Sequence, residues 1–597
     1  MEIKTRKRSE IPHEYKWRLE DIYKTTADWR KDVDAVSSMI ETMEGYRGKL
    51  TTGEALASCL KDYFKSNETI SRLYVYAAMK RHEDANVSES QGMADIGEST
   101  SVKFGAATAF LVPELLSLDE ATILSFTESV PELKSYEHFL KNIMRQKAHI
   151  RSAEVEELLA QTSEVGDAAG NIYSMLDSAD LKFDTIKDDK GNTVEVTHAR
   201  YYTLMQSPDR RVRKDAFEAY YKAYDSLKNT IATMYNSSVK KDIFYANARK
   251  YNSALEMALS NSNIPTTVYH QLIEAVHEFL PVMHRYVALR KRVLKLDEIH
   301  MYDLSTPLVE EADVKISYEE AKKKCIEGLA PLGKEYLAIM TKGLESGWVD
   351  VYENEGKESG AYAWGVYGGH PYVLLNYDDT LGDMFTLAHE LGHAMHFYYT
   401  WENQPSVYGS PNIFLAEVAS TVNETILMDH MIKTTTDPKT RLYLLGEYIK
   451  QFRGTLIRQV MFAEFEMIAH HMAEEGEPLT LDALNKAYRE LTIKYFGTDI
   501  VIDPEIDLEW ARIPHFYRAF YVYQYATGFS AALAFSKRIQ SGDPQALTDY
   551  LGFLKAGSSD YAIEILKKAG VDMSTPTPVR DALQKFEELV TEMEKSL

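Results

Sequence analysis

Residues 389–393 read His-Glu-Leu-Gly-His, a spacing with chemical consequences. On a helix, side chains four residues apart project from one face one turn apart, so His389 and His393 can bring two imidazoles to a single zinc ion. Glu390, beside them, is placed to take a proton from a zinc-bound water as it attacks a peptide carbonyl and to hand that proton to the leaving amine. A catalytic zinc ion keeps three protein ligands and an open position, so a third ligand must come from another element. The segment 412–431, NIFLAEVASTVNETILMDHM, offers Glu417 and Glu424 on one helical face. His396 is a rival, but a third histidine one turn further on crowds the same helix, and a packing role suits it better. His370 and His430 are read in the same way.

Two helices must present these groups. Residues 380–401, TLGDMFTLAHELGHAMHFYYTW, open with a Thr380…Asp383 pair that suits a capping box. Met384, Ala388, Leu391, Met395 and Tyr398 form an apolar stripe roughly 160° around that helix from the histidines. In the second segment Leu415, Val418, Ala419, Val422 and Ile426 cluster roughly 160° from the two glutamates. Each helix is thus expected to pack by one side and turn metal-competent groups away from it.

Around these helices the chain reads as mainly α. The first 180 residues carry apolar residues at three- and four-residue spacing over long proline-free stretches such as 85–112 and 150–180, as a helical bundle would. Residues 181–202 break the pattern, with β-branched alternation flanking the polar turn 188–192, and predict a hairpin and a soft boundary. Residues 346–377 are rich in glycine, aromatic and β-branched side chains and predict a small sheet. Two regions follow: 1–195, helical, and 196–597, carrying the metal motif and the C-terminal helices. At 597 residues, more than one packed region is expected.

Composition narrows the functional classes. A net charge of −23 opposes phosphate binding over most of the surface, so Lys4, Arg6, Lys7 and Arg8 are read as a solvated tail and no nucleic-acid partner is expected. The N-terminus has no apolar run after its basic residues, and no stretch approaches the ~18 apolar residues of a membrane span. Cys59 and Cys325 belong to no metal or redox motif, which suits a reducing compartment. The expectation is a cytoplasmic protein without membrane contact, a monomer or weak homo-oligomer.

Several segments carry a family likeness: HELGHAMH at 389–396, FLAEVAST at 414–421 with Asn423-Glu424, GAYAWGVYGGHPYVLLNY at 360–377, IPHFYRAFYVYQYATG at 513–528, and IPHEYKWRLEDIY at 11–23. Through them the chain resembles oligoendopeptidase F, of the thimet oligopeptidase superfamily of zinc metallopeptidases. The resemblance implies a mostly helical, zincin-like fold with a small sheet, divided by a deep substrate channel that the N-terminal region covers, and one zinc ion per chain. It implies that Glu417 is the third ligand and that Glu424 supports a ligand histidine from behind. It also implies His515 and Tyr521 as hydrogen-bond donors to the transition state, and an edge strand at Gly360 and Tyr362 that pairs with substrate backbone.

Tyr517, Tyr521 and Tyr525 recur every fourth residue after Pro514, so they are expected on one helix face, with Tyr517 and Tyr525 as substrate contacts. The expected activity is hydrolysis of internal bonds in short unfolded peptides. A carboxypeptidase or peptidyl-dipeptidase on the same scaffold would need a clamp for a free C-terminus, for which Arg512 or Arg518 is the nearest candidate. A silent peptide-binding protein with structural zinc fits less well, since a structural site fills all four positions and has no use for Glu390.

Overall fold

A computed structural model describes residues 5–309 and 315–597, so Lys4 lies outside the described residues. The chain is mostly helical, with seven short strands among the described residues. It folds as two compact units, each assembled from three separate stretches. The first comprises Met1–Ala148, Val314–Leu427 and Phe535–Gly570; the second comprises His149–Asp313, Met428–Ala534 and Val571–Leu597. The single cut expected at 195/196 falls inside the second unit. A change in local pattern marks the end of a hairpin there, whereas the surface each helix must bury is supplied by residues hundreds of positions away.

In the first unit, helices Thr26–Glu44, Gly53–Glu83 and Ser88–Thr108 pack together as the expected bundle. Thr25 and Thr52 cap the first two by accepting the N–H of Asp28 and of Ala55. Trp29, Leu60, Leu73, Met79 and Leu115 fill the core, and Tyr372 and Leu374 from the sheet join them. The basic N-terminal run is no solvated tail at Arg8. Its guanidinium meets the fully buried Asp350 and also Glu83, 3.1 Å away, while Lys357 approaches Asp350 from another side at 2.8 Å. A buried carboxylate needs such partners, and this need draws the N-terminal segment inward.

The strands are β1 (Thr185–Lys187), β2 (Thr193–Glu195), β3 (Ile299–His300), β4 (Val349–Asp350), β5 (Tyr362–Gly365), β6 (Pro371–Leu374) and β7 (Ile500–Val501). In the second unit β1 and β2 form the expected hairpin, Ile186 opposite Val194. The parallel pair β3–β7 joins residues 201 positions apart, Ile299 with Ile500, with no local signal to announce it. In the first unit β4, β6 and β5 form the expected small sheet, in that spatial order. β4 runs parallel to β6 and β5 antiparallel to it, Ala363 opposite Val373, so β5 is an edge strand. β5 and β6 pack on the helix that carries His389 and His393.

Both cysteines are buried free thiols. Among the described residues no single helix is long and apolar enough to cross a membrane.

Candidate metal centre

The motif helix spans Leu381–Asn403 and starts with the expected capping box: Thr380 Oγ1 accepts the Asp383 N–H and Asp383 Oδ2 accepts the Thr380 N–H, each at 3.1 Å. Its partner helix spans Ala416–Thr434, preceded by a 3-10 turn at Ile413–Leu415. The apolar residues expected on both helices are buried, apart from the half-buried Tyr398. Two residues bring the helices unusually close. A Cβ on Gly392 would lie 2.5 Å from Ser420 Cα and 2.6 Å from Ala419 O, so only glycine fits between the two backbones. Asn423, fully buried, donates to Ala388 O at 3.0 Å and accepts from the Tyr336 hydroxyl at 3.0 Å, tying the helices together at the same level.

Across that contact, Nε2 of His389, Nε2 of His393 and Oε2 of Glu417 converge. The nitrogens are 3.1 Å apart and stand 3.3 and 3.4 Å from the carboxylate oxygen. Ligands at the ~2.0–2.1 Å typical of zinc would be separated by ~3.3 Å at tetrahedral angles, so the three donors fit one face of a zinc tetrahedron. Half of the Glu417 side chain stays accessible, and the cluster therefore opens to solvent. Glu424 takes a short hydrogen bond from His389 Nδ1, which puts a proton on Nδ1 and leaves Nε2 as the atom that could bind a metal. Ser420 Oγ lies 3.1 Å from Glu417 Oε2 and steadies that carboxylate.

The electrostatics of the metal-free cluster follow from these contacts. Burial opposes a charge on His389, but its hydrogen bonds to Glu417 and Glu424 outweigh burial and push its pKa up to about 10. The same histidines hold Glu417 well below the usual carboxylate range. Glu390 is nearly buried, and burial raises its pKa despite the opposing pull of His389 and His393. Its Oε2 has no hydrogen-bond partner among the described residues. A buried carboxylate oxygen left without a partner beside three convergent donors is free to accept a proton. His396 is buried against the Phe553 ring, outside the converging group, and that burial holds it neutral, down to about 3.

The remaining expected residues fall into two groups. In the second unit Pro514–Tyr517 is a 3-10 turn, Phe520 has φ +56°, and a helix begins only at Tyr523. Tyr517, Tyr521 and Tyr525 therefore do not share a helix face, because the chain turns between them. The Tyr525 hydroxyl lies 3.3 Å from His515 Nε2, and the Tyr521 ring lies parallel to His515 at 6.1 Å. Tyr517 points away and stacks on Tyr173 at 4.3 Å. Arg518 sits over the Tyr521 ring, and burial followed by the Arg518 charge lowers the His515 pKa. In the first unit Gly360, at φ +82°, turns the chain into β5; its carbonyl accepts from Asn376 at 2.8 Å. Tyr362 follows on β5, its hydroxyl 2.7 Å from His82 Nδ1.

A model of the M3 peptidases (Peptidase family M3) matches residues 203–585, and a model described as Oligopeptidase F matches residues 114–183. The chain belongs to peptidase family M3. Oligopeptidase PepF of Bacillus subtilis is 48% identical over 591 residues, covering 99% of this chain and 88% of the relative. A solved chain from Chlamydophila abortus superposes with a TM-score of 0.95 at 38% identity, covering all of both chains. Oligoendopeptidase-F from Enterococcus faecium superposes with a TM-score of 0.74 at 37% identity over 96% of this chain and 99% of that one. This M3 peptidase is accordingly a metalloendopeptidase of mostly helical fold.

Gly392, Ser420 and Asn423 entered the sequence reading only within the segments that carry the family likeness, with no role of their own. Gly392 carried a usable signal, since a lone glycine inside a strong helical pattern marks a close backbone approach. The contacts of Ser420, to Glu417 on its own helix, and of Asn423, to Ala388 on the other, depend on side-chain orientations that residue type alone does not disclose.

Proposed function

We propose that this peptidase holds one zinc ion on His389, His393 and Glu417 and hydrolyses internal bonds of short unfolded peptides, with Glu390 as general base. The observation that carries the reading is the set of three donor atoms 3.1–3.4 Å apart, backed by Glu424 and flanked by a buried, unpartnered Glu390 oxygen. When bound, the ion supplies Lewis acidity for activating water and polarising the scissile carbonyl. Glu390 accepts the proton of the attacking water at Oε2 and delivers it to the departing amine nitrogen. Glu424 keeps the proton of His389 on Nδ1 throughout, so the ligand set does not change its protonation state during turnover. His515 and Tyr521 serve as donors to the oxyanion, and the Gly360–Tyr362 edge pairs with substrate backbone, giving affinity without strict side-chain selection. Tyr525 orients His515. Tyr517 acts through packing, as its stacking on Tyr173 suggests.

A clamp for a free C-terminus has less support. Arg512 is committed to Glu509, 3.1 Å away, and Arg518 to the Tyr521 ring. The buried free thiols and the strongly acidic composition suit a cytoplasmic protein acting on peptides, as a monomer or weak homo-oligomer. The test is mass spectrometry of products from peptides blocked at both ends, with and without a chelator. Internal cleavage that chelation abolishes and zinc restores supports the reading; failure to cut every blocked peptide overturns it. Glu390→Gln is expected to keep its zinc and lose at least ~100-fold in kcat, the scale of removing a general base.

A further inference from the structure

The second unit contains a cavity of about 400 Å³ in which none of the metal-site residues takes part. Its walls come from the short helix His198–Leu204, the helix Arg210–Asp225, a π-helical turn at Phe452–Ile457 and the 3-10 segment Pro504–Arg512. A π turn, with its i→i+5 hydrogen bonds, widens a helix locally and is frequent at functional sites. The apolar walls are largely aromatic and methionine, including Tyr201, Phe217, Tyr221 and Met205.

The charged groups in those walls are unbalanced. Lys450, Arg453, Arg458 and Arg512 face only two carboxylates, Glu447 and Glu509, in a chain whose net charge is −23. Lys450 pairs with Glu447 at 3.1 Å. Glu509 is shared by Arg458 and Arg512 and also accepts from the Tyr488 hydroxyl at 2.6 Å. Arg453 has no carboxylate partner among the described residues; its guanidinium donates to Leu304 O. The Nε of Arg512, a side chain more than nine-tenths buried, has no acceptor at all among the described residues. Burial, with Arg290 and Arg458 adding to it, brings Arg453 down to about 10, still charged at neutral pH. Charged guanidinium groups kept away from bulk water are stable only when an anion or several acceptors compensate them, and planar guanidinium matches an oxyanion with two parallel hydrogen bonds.

From this imbalance we infer that the cavity is a binding site for a small organic oxyanion, a carboxylate or phosphate head on a flat apolar body, with Arg453 taking the head and Tyr201, Phe217 and Tyr221 the body. The volume suits a molecule of that kind, and the aromatic wall, in which Tyr221 meets Tyr201 and Phe217 edge-on, gives the body more contact than a bare inorganic ion could use.

The zinc-loaded full-length enzyme is titrated by calorimetry and thermal melting with three probes, phenyl phosphate, benzoate and inorganic phosphate, at constant ionic strength. One of the organic probes is expected to bind one per chain and to raise the Tm, more tightly than inorganic phosphate; which of the two does so identifies the head group. In Arg453→Met, affinity is expected to fall on the order of tenfold or more, the loss of a charged hydrogen-bonding partner, with unliganded peptide cleavage unchanged. Without any probe, Arg453→Met is expected to melt no lower than the parent, since it removes an uncompensated charge. Met205→Trp keeps every charge, narrows the cavity and is expected to abolish binding. Equal binding by the parent and Arg453→Met, binding by neither organic probe, or a clear fall in the probe-free Tm of Arg453→Met would each overturn the inference.

Discussion

At His389 two carboxylates compete with burial and win, and uptake of the proposed zinc ion would have to reverse the result. With its pKa raised to about 10, His389 is protonated in the metal-free protein at neutral pH, so the incoming ion displaces a proton. The sign is fixed. Apparent zinc affinity rises with pH, by about tenfold per unit between pH 7 and 9, and falls as acid restores the proton. Calorimetry in buffers of different ionisation enthalpy is expected to show about one proton released per zinc at pH 7.5; no release would contradict the charged histidine. Without metal the same raised pKa contributes stability that is complete below the unfolded value of ~6.5 and lost as pH climbs through about 10. Glu424→Ala removes the acceptor behind His389 and is expected to weaken zinc binding by ~10–100-fold, measured by competition with a chromogenic chelator.

At the scale of the element, the distance between the two helices decides whether three donors can share an ion. Gly392 sets that distance, since any side chain there would meet the backbone at Ala419 and Ser420. Gly392→Ala is expected to cost ~1–3 kcal/mol in thermal or urea unfolding and to lower zinc content, because the strain is relieved by moving Glu417 away from the histidines. Full zinc occupancy in a stable Gly392→Ala protein would contradict this role. The helices, their capping box and their apolar stripes were legible from Thr380, Asp383 and the three- and four-residue spacing, since those depend on neighbours a turn away. The path of residues 513–525 was not. Tyr517, Tyr521 and Tyr525 have helical spacing, yet Glu466 Oε1, fully buried in a different helix, accepts the Phe520 N–H at 3.0 Å and pins a turn between them.

For the whole molecule, each compact unit draws on stretches from distant parts of the chain, which makes a cut at one point unproductive. The core that holds Trp29, Leu73 and Leu140 also holds Val366, Tyr372 and Leu374, so a fragment of residues 1–195 would leave part of that core open to water. Neither 1–195 nor 196–597 is expected to fold alone; circular dichroism melts without a cooperative transition, and rapid proteolysis, would bear this out, and a sharp melt from either fragment would refute it. The N-terminal segment belongs to the same accounting, because Arg8 compensates the buried Asp350 from 342 positions away.

What residue types and short spacings determine was legible in the chain itself: two histidines and a glutamate at metal-competent spacing, and which segments are helix or hairpin. Those properties follow from side-chain chemistry and from neighbours within a turn or two, both written locally. Tertiary structure alone decided that Gly392 admits Ser420, that Glu466 bends the chain at Phe520, and that four cations meet two carboxylates around one cavity. Each is a relation between residues far apart in sequence, and the free energy that selects it comes from burial and pairing, which exist only once the chain has closed on itself.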